Sequence, residues 1–100
     1  MNETTPAAPQ TLRLTREFVV PNPLGLHARA ATKLSQAAQR FQATLHVDMA
    51  GSPRVNGKSV LDLLTLGANQ GQKLQFMATG TDARDLLDAV ARLFAQNLGD

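Results

Sequence analysis

The sequence predicts an α+β open-faced sandwich, in which a four-stranded antiparallel sheet is covered on one face by three helices. Three observations predict this fold class. A chain of 100 residues with 43% hydrophobic content suits one domain with two packed layers around one core. Several short segments alternate apolar and polar residues, as strands with one wet face do. Others repeat apolar residues at spacings of three and four, which is typical of amphipathic helices.

The first half of the chain predicts a strand, a helix and a second strand. Apolar residues alternate over residues 12–20, and Pro21 ends this strand. Residues 28–40 form the first helix, because apolar side chains recur there at helical spacings. Alternation over residues 43–49 then predicts the second strand.

The middle of the chain predicts two more strands around a short helix. Residues 54–56 can pair with the second strand across a Gly-Ser-Pro turn. Residues 59–66 read as a short helix, and Gly67 can end it in a left-handed conformation. Residues 73–79 alternate again and form the last strand.

The two ends of the chain differ in composition. Residues 1–11 are rich in proline and threonine without apolar periodicity, which predicts a flexible tail before a domain of residues 12–100. A continuous apolar stripe predicts a last helix over residues 82–97, with Asp82 as its N-cap.

Composition excludes several classes of function. The chain has no cysteine, which removes disulfides, thiol catalysis and zinc sites with sulfur ligands. No apolar run approaches the roughly 20 residues that a membrane span needs, and the first residues lack a signal-peptide pattern. We therefore predict a cytoplasmic protein without membrane insertion, metal or cofactor. Nucleic-acid binding is not expected either, because all aromatic residues fit inward positions: Phe18, Phe41, Phe76 and Phe94.

Positive charge is concentrated in the first half of the chain. The formal net charge is +2, yet residues 12–58 contain seven basic and two acidic residues. Such a segment attracts acidic partners or phosphate, although a solvated basic face without a partner explains the composition equally well.

His27 stands where a turn-forming stretch gives way to the first predicted helix. The amide groups at such a helix start lack helical partners and carry positive partial charge, so the place favours an anion. A neutral imidazole there is a capable nucleophile, and a phosphoryl group on it would meet these amides and the guanidinium of Arg29. Gly25 allows a backbone angle closed to other residues and the close approach of a ligand. A surface cap without reactivity remains the alternative.

Two motifs give the chain a resemblance to a known family. The stretch "LGLHARAA" is followed, in the same order, by "VNGKSVLDLLTLGANQGQKL". Both resemble the histidine-containing phosphocarrier (HPr) family of the phosphoenolpyruvate-dependent phosphotransferase system, and the "NPLGLHAR" loop is similar to its nitrogen-related branch. The resemblance implies that His27 accepts phosphate on Nδ1 from enzyme I and passes it to an IIA-type protein, with Arg29 as the active-site arginine. It also implies a carrier and not an enzyme.

One position departs from the family pattern. The family usually has proline directly after the arginine, and Ala30 stands there in this chain. Alanine is a good helix former and supplies one more amide donor than proline does. We expect an effect on rate or partner preference without loss of the nucleophile.

Ser59 begins the second motif. Ser59 and Asp62 have the spacing of a capping box, in which the hydroxyl caps the helix and the acid reaches back. The resemblance implies in addition that Ser59 is a site for a dedicated HPr kinase/phosphorylase. Both roles are compatible, because a helix N-terminus tolerates phosphate.

The short helix predicts an interaction surface next to His27. Leu61, with Val60, can form an exposed apolar patch ringed by Arg29, Lys33 and Lys58, which is typical of a transient interface for an acidic partner. The alternative is that these apolar residues are all buried. A non-transferring regulatory module that binds a transcription or metabolic regulator through the Ser59 surface is the rival function. The chain is predicted to be a monomer.

Overall fold

The fold is built on one sheet of four antiparallel strands. The computed structural model describes residues 12–100, so the predicted tail lies outside the described residues. The strand order in the sheet is β1-β4-β2-β3, which places the first and last strands side by side. The strands are β1 (Arg13–Val19), β2 (Thr44–Met49), β3 (Val55–Asn56) and β4 (Lys73–Thr79).

Three helices cover one face of this sheet. They are α1 (Ala28–Gln39), α2 (Val60–Thr65) and α3 (Ala83–Ala95), and a 3-10 turn at Asn97–Gly99 follows them. Helix α1 packs against both α2 and α3, and α3 also contacts β1 and β4. The predicted fold class and element order are confirmed. Within residues 12–100, no helix combines the length and the apolar character needed to cross a membrane.

The core lies between the sheet and the helices. Alternate residues of β2 and β4, such as Leu45 and Phe76, are buried, as the sequence pattern predicts. Phe76 also makes edge contacts with Phe18 and Phe94, with ring centroids 5.5 Å apart in each pair. All four phenylalanines belong to the core or pack against it, so the prediction of inward aromatic side chains is confirmed.

The structure tests the predicted end of α2 at Gly67 and the predicted start of α3 at Asp82. Gly67 follows α2 with a φ of +59°, which confirms the left-handed ending. Asp82 occupies the N-cap position of α3, but its side chain does not cap that helix. Its carboxylate instead accepts hydrogen bonds from the amides of Gln42 (2.9 Å) and Ala43 (2.8 Å), and the bond from Gln42 is the main cause that lowers its pKa. The predicted N-cap position is confirmed, but the side-chain bond expected there is absent because the chain entering β2 offers amides to the same carboxylate.

Candidate functional site

A loop with a buried asparagine leads from β1 to the start of α1. The Asn22 side chain is fully buried, and its amide nitrogen donates to the carbonyl of Gly25 at 2.8 Å. Gly25 has a φ of +69°, and a Cβ there would lie 2.5 Å from the carbonyl oxygen of Ala68. Glycine is therefore required, as predicted. The close neighbour at this position is the protein's own backbone, and the approach of a ligand to Gly25 stays a prediction.

His27 is the N-cap residue of α1. Its backbone is extended, and its Nδ1 accepts a hydrogen bond from the amide of Arg29 at 3.2 Å. The amides of Ala28 and Ala30 have no acceptor among residues 12–100. The first turn of α1 also lacks acidic residues. This end of the helix therefore presents unsatisfied donors and positive partial charge beside the imidazole, which favours an anion there.

The other ring nitrogen of His27 faces a carboxylate. Nε2 lies 3.0 Å from one oxygen of Asp100 and 3.2 Å from the other. Because Nδ1 accepts from a backbone amide, the neutral ring carries its proton on Nε2 and donates it to Asp100. The lone pair on Nδ1 therefore points towards the helix N-terminus, where an incoming anion would bind.

Asp100 is held by three side chains of the site. The amide nitrogen of Asn22 donates to it at 2.6 Å, His27 donates through Nε2, and the guanidinium of Arg29 lies 3.3 Å away. These bonds, that of Asn22 first, lower the pKa of Asp100 to about 2. The Asp100 side chain is 12% exposed and that of Arg29 is 62% exposed, so the arginine keeps access to solvent.

Sequence reasoning missed Asn22 and Asp100. Asp100 is 73 residues from His27 in the chain, so no local spacing connects them. Asn22 stands in the loop motif, but its sequence context reads only as a turn signal. The predicted pair of His27 and Arg29 is present, and both side chains contact Asp100.

The N-terminus of α2 confirms half of the predicted capping box. The hydroxyl of Ser59 accepts from the amide of Asp62 at 3.2 Å, as expected. The carboxylate of Asp62 does not return to Ser59, and it accepts instead from the amide of Asn56 at 3.3 Å. The physical reason is that the Ser59 amide already donates to the carbonyl of Asn56.

The apolar side chains of α2 divide between core and surface. Leu63 is fully buried and Val60 is half-buried, whereas Leu61 is 76% exposed. Leu64 is also exposed, which the sequence did not predict. The alternative in which all of these residues are buried is therefore wrong for Leu61. Its role in partner binding stays a prediction.

The predicted basic rim is spread over α1. Arg29 is next to His27, and Lys33 lines an open groove between α1 and α3 together with Arg40 and Arg92. The ammonium of Lys58 donates to the carbonyl of Phe41 at 2.7 Å, beyond the C-terminal end of α1. The charge of Lys58 therefore lies at the opposite end of this helix from His27. Partner binding by these lysines stays a prediction.

The amino-acid sequence matches one protein family over most of its length. Residues 14–96 match the family model described as "PTS HPr component phosphorylation site". The chain belongs to the HPr family. HPr-family proteins are phosphocarriers of the phosphotransferase system and not enzymes, which confirms the family, the carrier class and the fold expected from the two sequence motifs.

Individual relatives of this HPr-family chain differ in length. A phosphocarrier protein NPr of Shewanella violacea is 40% identical over 81 residues, which cover 81% of this chain and 88% of the relative. A multiphosphoryl transfer protein of Escherichia coli O157:H7 is 38% identical over 100 residues, covering 97% of this chain but 26% of the relative. The chain thus spans about a quarter of that longer protein's length. The crystal structure of HPr-C-His from Thermoanaerobacter tengcongensis superimposes with a TM-score of 0.81 at 29% identity, covering 87% of this chain and 97% of that one.

Proposed function

We propose that the chain carries a phosphoryl group on Nδ1 of His27, which it accepts from enzyme I and delivers to an IIA-type protein. The observation that carries this proposal is the geometry of Nδ1. Its lone pair is directed at the N-terminus of a 12-residue helix, where the amides of Ala28 and Ala30 have no acceptor among the described residues. A phosphoryl group bound there would receive these donors.

The residues around His27 support the same chemistry. The guanidinium of Arg29 is mostly exposed and can turn towards phosphate oxygens, with which it forms a bidentate pair. The partner proteins would complete both half-reactions, since a carrier needs only a reversible nucleophile on its surface. The His27 side chain is 23% exposed, which is sufficient for contact with a partner's active site.

The chain contains two histidines, and this gives a sharp test of the site. Incubation with phosphoenolpyruvate and a matched enzyme I should give an acid-labile, alkali-stable label on wild type and on His46→Gln, and none on His27→Ala. His46 lies on β2 and serves as the matched control. A label that persists in His27→Ala would show that another residue carries the phosphoryl group.

We infer that the docking surface consists of Arg29, Lys33, Lys58, Val60 and Leu61. An exposed apolar side chain on α2, together with cationic side chains spread along α1, against which α2 packs, suits an acidic partner with an apolar centre. Replacing the exposed Leu61 by Asp should slow transfer to the IIA-type protein about tenfold. The control is Val19→Asp, which changes another exposed apolar side chain on the far edge strand. Equal rates for both variants would exclude Leu61 from the surface.

Regulation at Ser59 is a second part of the proposal. Ser59 is half-buried and its hydroxyl caps α2, so a phosphate added by an HPr kinase/phosphorylase would stand next to helix amides and the proposed docking surface. Mass spectrometry after incubation with such a kinase and ATP should find phosphate on wild type and none on Ser59→Ala. Equal labelling of both proteins would remove this regulation.

The cellular setting belongs to the same proposal. We infer a monomeric cytoplasmic carrier that serves either sugar uptake or a nitrogen-type regulatory relay, since relatives named HPr and NPr match it with similar identity. The rival, a regulatory module that binds a regulator through Ser59 without transfer, would not need the free amides and the oriented imidazole at His27. Phosphate transfer from the labelled chain to an IIA-type protein of the nitrogen relay distinguishes the two.

A further inference from the structure

Asp100 binds the nitrogen of His27 that does not accept the phosphoryl group. Its carboxylate lies 3.0 and 3.2 Å from Nε2, while Nδ1 accepts from the amide of Arg29. The two contacts act on opposite sides of one ring. Together they fix both its rotation and the nitrogen that carries the proton.

The position of Asp100 is fixed by buried contacts. The Asn22 side chain is fully buried and donates at 2.6 Å to the oxygen that is closer to Nε2. In the turn before Asp100, Asn97 and Leu98 have φ values of +63° and +56°, a conformation that costs energy for residues other than glycine. The turn retains this conformation because the Leu98 side chain is fully buried. The fold therefore directs this carboxylate to His27.

We propose that Asp100 is a positioning residue for phosphoryl transfer at His27, and this inference rests on the proposed function. The Nδ1 lone pair forms the new bond to phosphorus, and the bond from phosphorus to the donor breaks with its electron pair going to the donor. The proton on Nε2 stays in place, so the ring gains a positive charge. The Asp100 carboxylate stabilises that charge, as the acid of a histidine dyad does.

The contact between Asp100 and Arg29 raises an opposing possibility. Asp100 accepts from the guanidinium at 3.3 Å, so it could compete with phosphate for Arg29. Arg29 is far more exposed than Asp100 and lacks a buried partner such as Asn22. The arginine can therefore leave while the carboxylate remains on His27. The two roles predict opposite effects on rate, because loss of a competitor would accelerate transfer.

The rate of labelling by enzyme I and phosphoenolpyruvate separates these roles. Asp100→Asn keeps the shape and removes the charge, and labelling should slow about tenfold, as expected for the loss of a charged hydrogen-bond partner. Asp100→Glu keeps the charge and should recover a large part of the rate. The matched control is Asp88→Asn, which removes a carboxylate paired with Arg16 on the surface and should leave the rate unchanged. Equal or faster labelling of D100N overturns the proposal.

A second measurement does not depend on transfer. In unphosphorylated protein with a neutral His27 ring, NMR of the ring nitrogens should place the proton on Nε2 and find it protected from exchange with water. In D100N this exchange should become faster, with no change in D88N. If the Nε2 proton exchanges with water at the same rate in D100N as in wild type, the proposed hydrogen bond to Asp100 is overturned. Absence of label on wild type would instead refute the proposed function, and the exchange measurement would still decide the contact of Asp100 with the ring.

Discussion

The N-termini of α1 and α2 differ in the side chain that caps them and in where the partners of that side chain lie in the chain. Helix α2 is capped by neighbours in the chain, since Ser59 caps the amide of Asp62 and Asp62 binds Asn56. Helix α1 is capped by the imidazole of His27, which also holds Asp100 from a distant part of the chain. Each helix keeps two amides without an acceptor among residues 12–100, those of Ala28 and Ala30 at α1 and of Val60 and Leu61 at α2. At α1 an imidazole nitrogen stands beside these amides, whereas at α2 the capping atom is a hydroxyl oxygen. A hydroxyl cap stabilises a helix, whereas an imidazole cap can in addition bond covalently to a group that the free amides then receive.

The largest effect should come from the loop that supports α1. Gly25→Ala places a Cβ 2.5 Å from the Ala68 carbonyl at a φ of +69°, so it should destabilise the fold by about 2 kcal/mol or more and slow labelling of His27. Urea denaturation and the labelling rate measure both effects. Gly51→Ala is the control, because Gly51 has a φ of +84° but nothing lies within 4 Å of its added Cβ. Equal losses in both variants would mean that the contact with Ala68 is unimportant.

The cap of α2 offers the contrasting substitution. Ser59→Ala removes the acceptor for the Asp62 amide and should destabilise the protein by about 1 kcal/mol, as the loss of a serine N-cap does. Labelling of His27 should stay within twofold of wild type, because the hydrogen bonds of the ring are made with Asp100 and with the amide of Arg29 and not with α2. Ser59→Asp is the control, since aspartate caps a helix as well as serine. A stability loss in the aspartate variant equal to that in the alanine variant would contradict the capping role.

This difference between the two helix N-termini explains which site residues can be predicted from the sequence and which cannot. Ser59 and His27 are each recognisable from a few neighbouring residues, because a capping motif is local. Asn22 and Asp100 meet His27 only after α1, α3 and the following turn have packed together. The strand and helix pattern therefore predicts the fold and the nucleophile. It does not predict the carboxylate that orients the nucleophile, because tertiary packing creates that contact.

Low pH should weaken the contacts at the N-terminus of α1 more than those at the N-terminus of α2. The pKa of Asp100 is lowered to about 2 by Asn22, His27 and Arg29, so the carboxylate contributes stability above its ordinary pKa of 3.8. This contribution is lost as the pH falls from about 4 through 2, because in this range the unfolded state takes up a proton at Asp100 before the native carboxylate does. The difference in melting temperature between wild type and Asp100→Asn should therefore shrink over this range. A difference that stays constant down to pH 2 would contradict the lowered pKa.

The smallest effect is expected at Ala30, where one amide distinguishes this chain from the usual family pattern. The Ala30 amide has no acceptor among residues 12–100, so proline there removes a free donor without breaking a helical bond. Ala30→Pro should still be labelled, and its phosphorylated form should hydrolyse up to about threefold faster, because a phosphate oxygen loses one neutral donor.

Two controls support this comparison at Ala30. Since the Ala30 side chain is buried, thermal melting of Ala30→Pro first verifies that the fold accommodates the proline ring. In Ala31→Pro the lost amide donates to the His27 carbonyl at 2.8 Å, so that variant should be destabilised by about 3 kcal/mol. If the phosphorylated form of Ala30→Pro hydrolyses more slowly than wild type, the free amide does not bind the phosphate. The donors at the start of α1 would then be reduced to Ala28, Arg29 and the guanidinium.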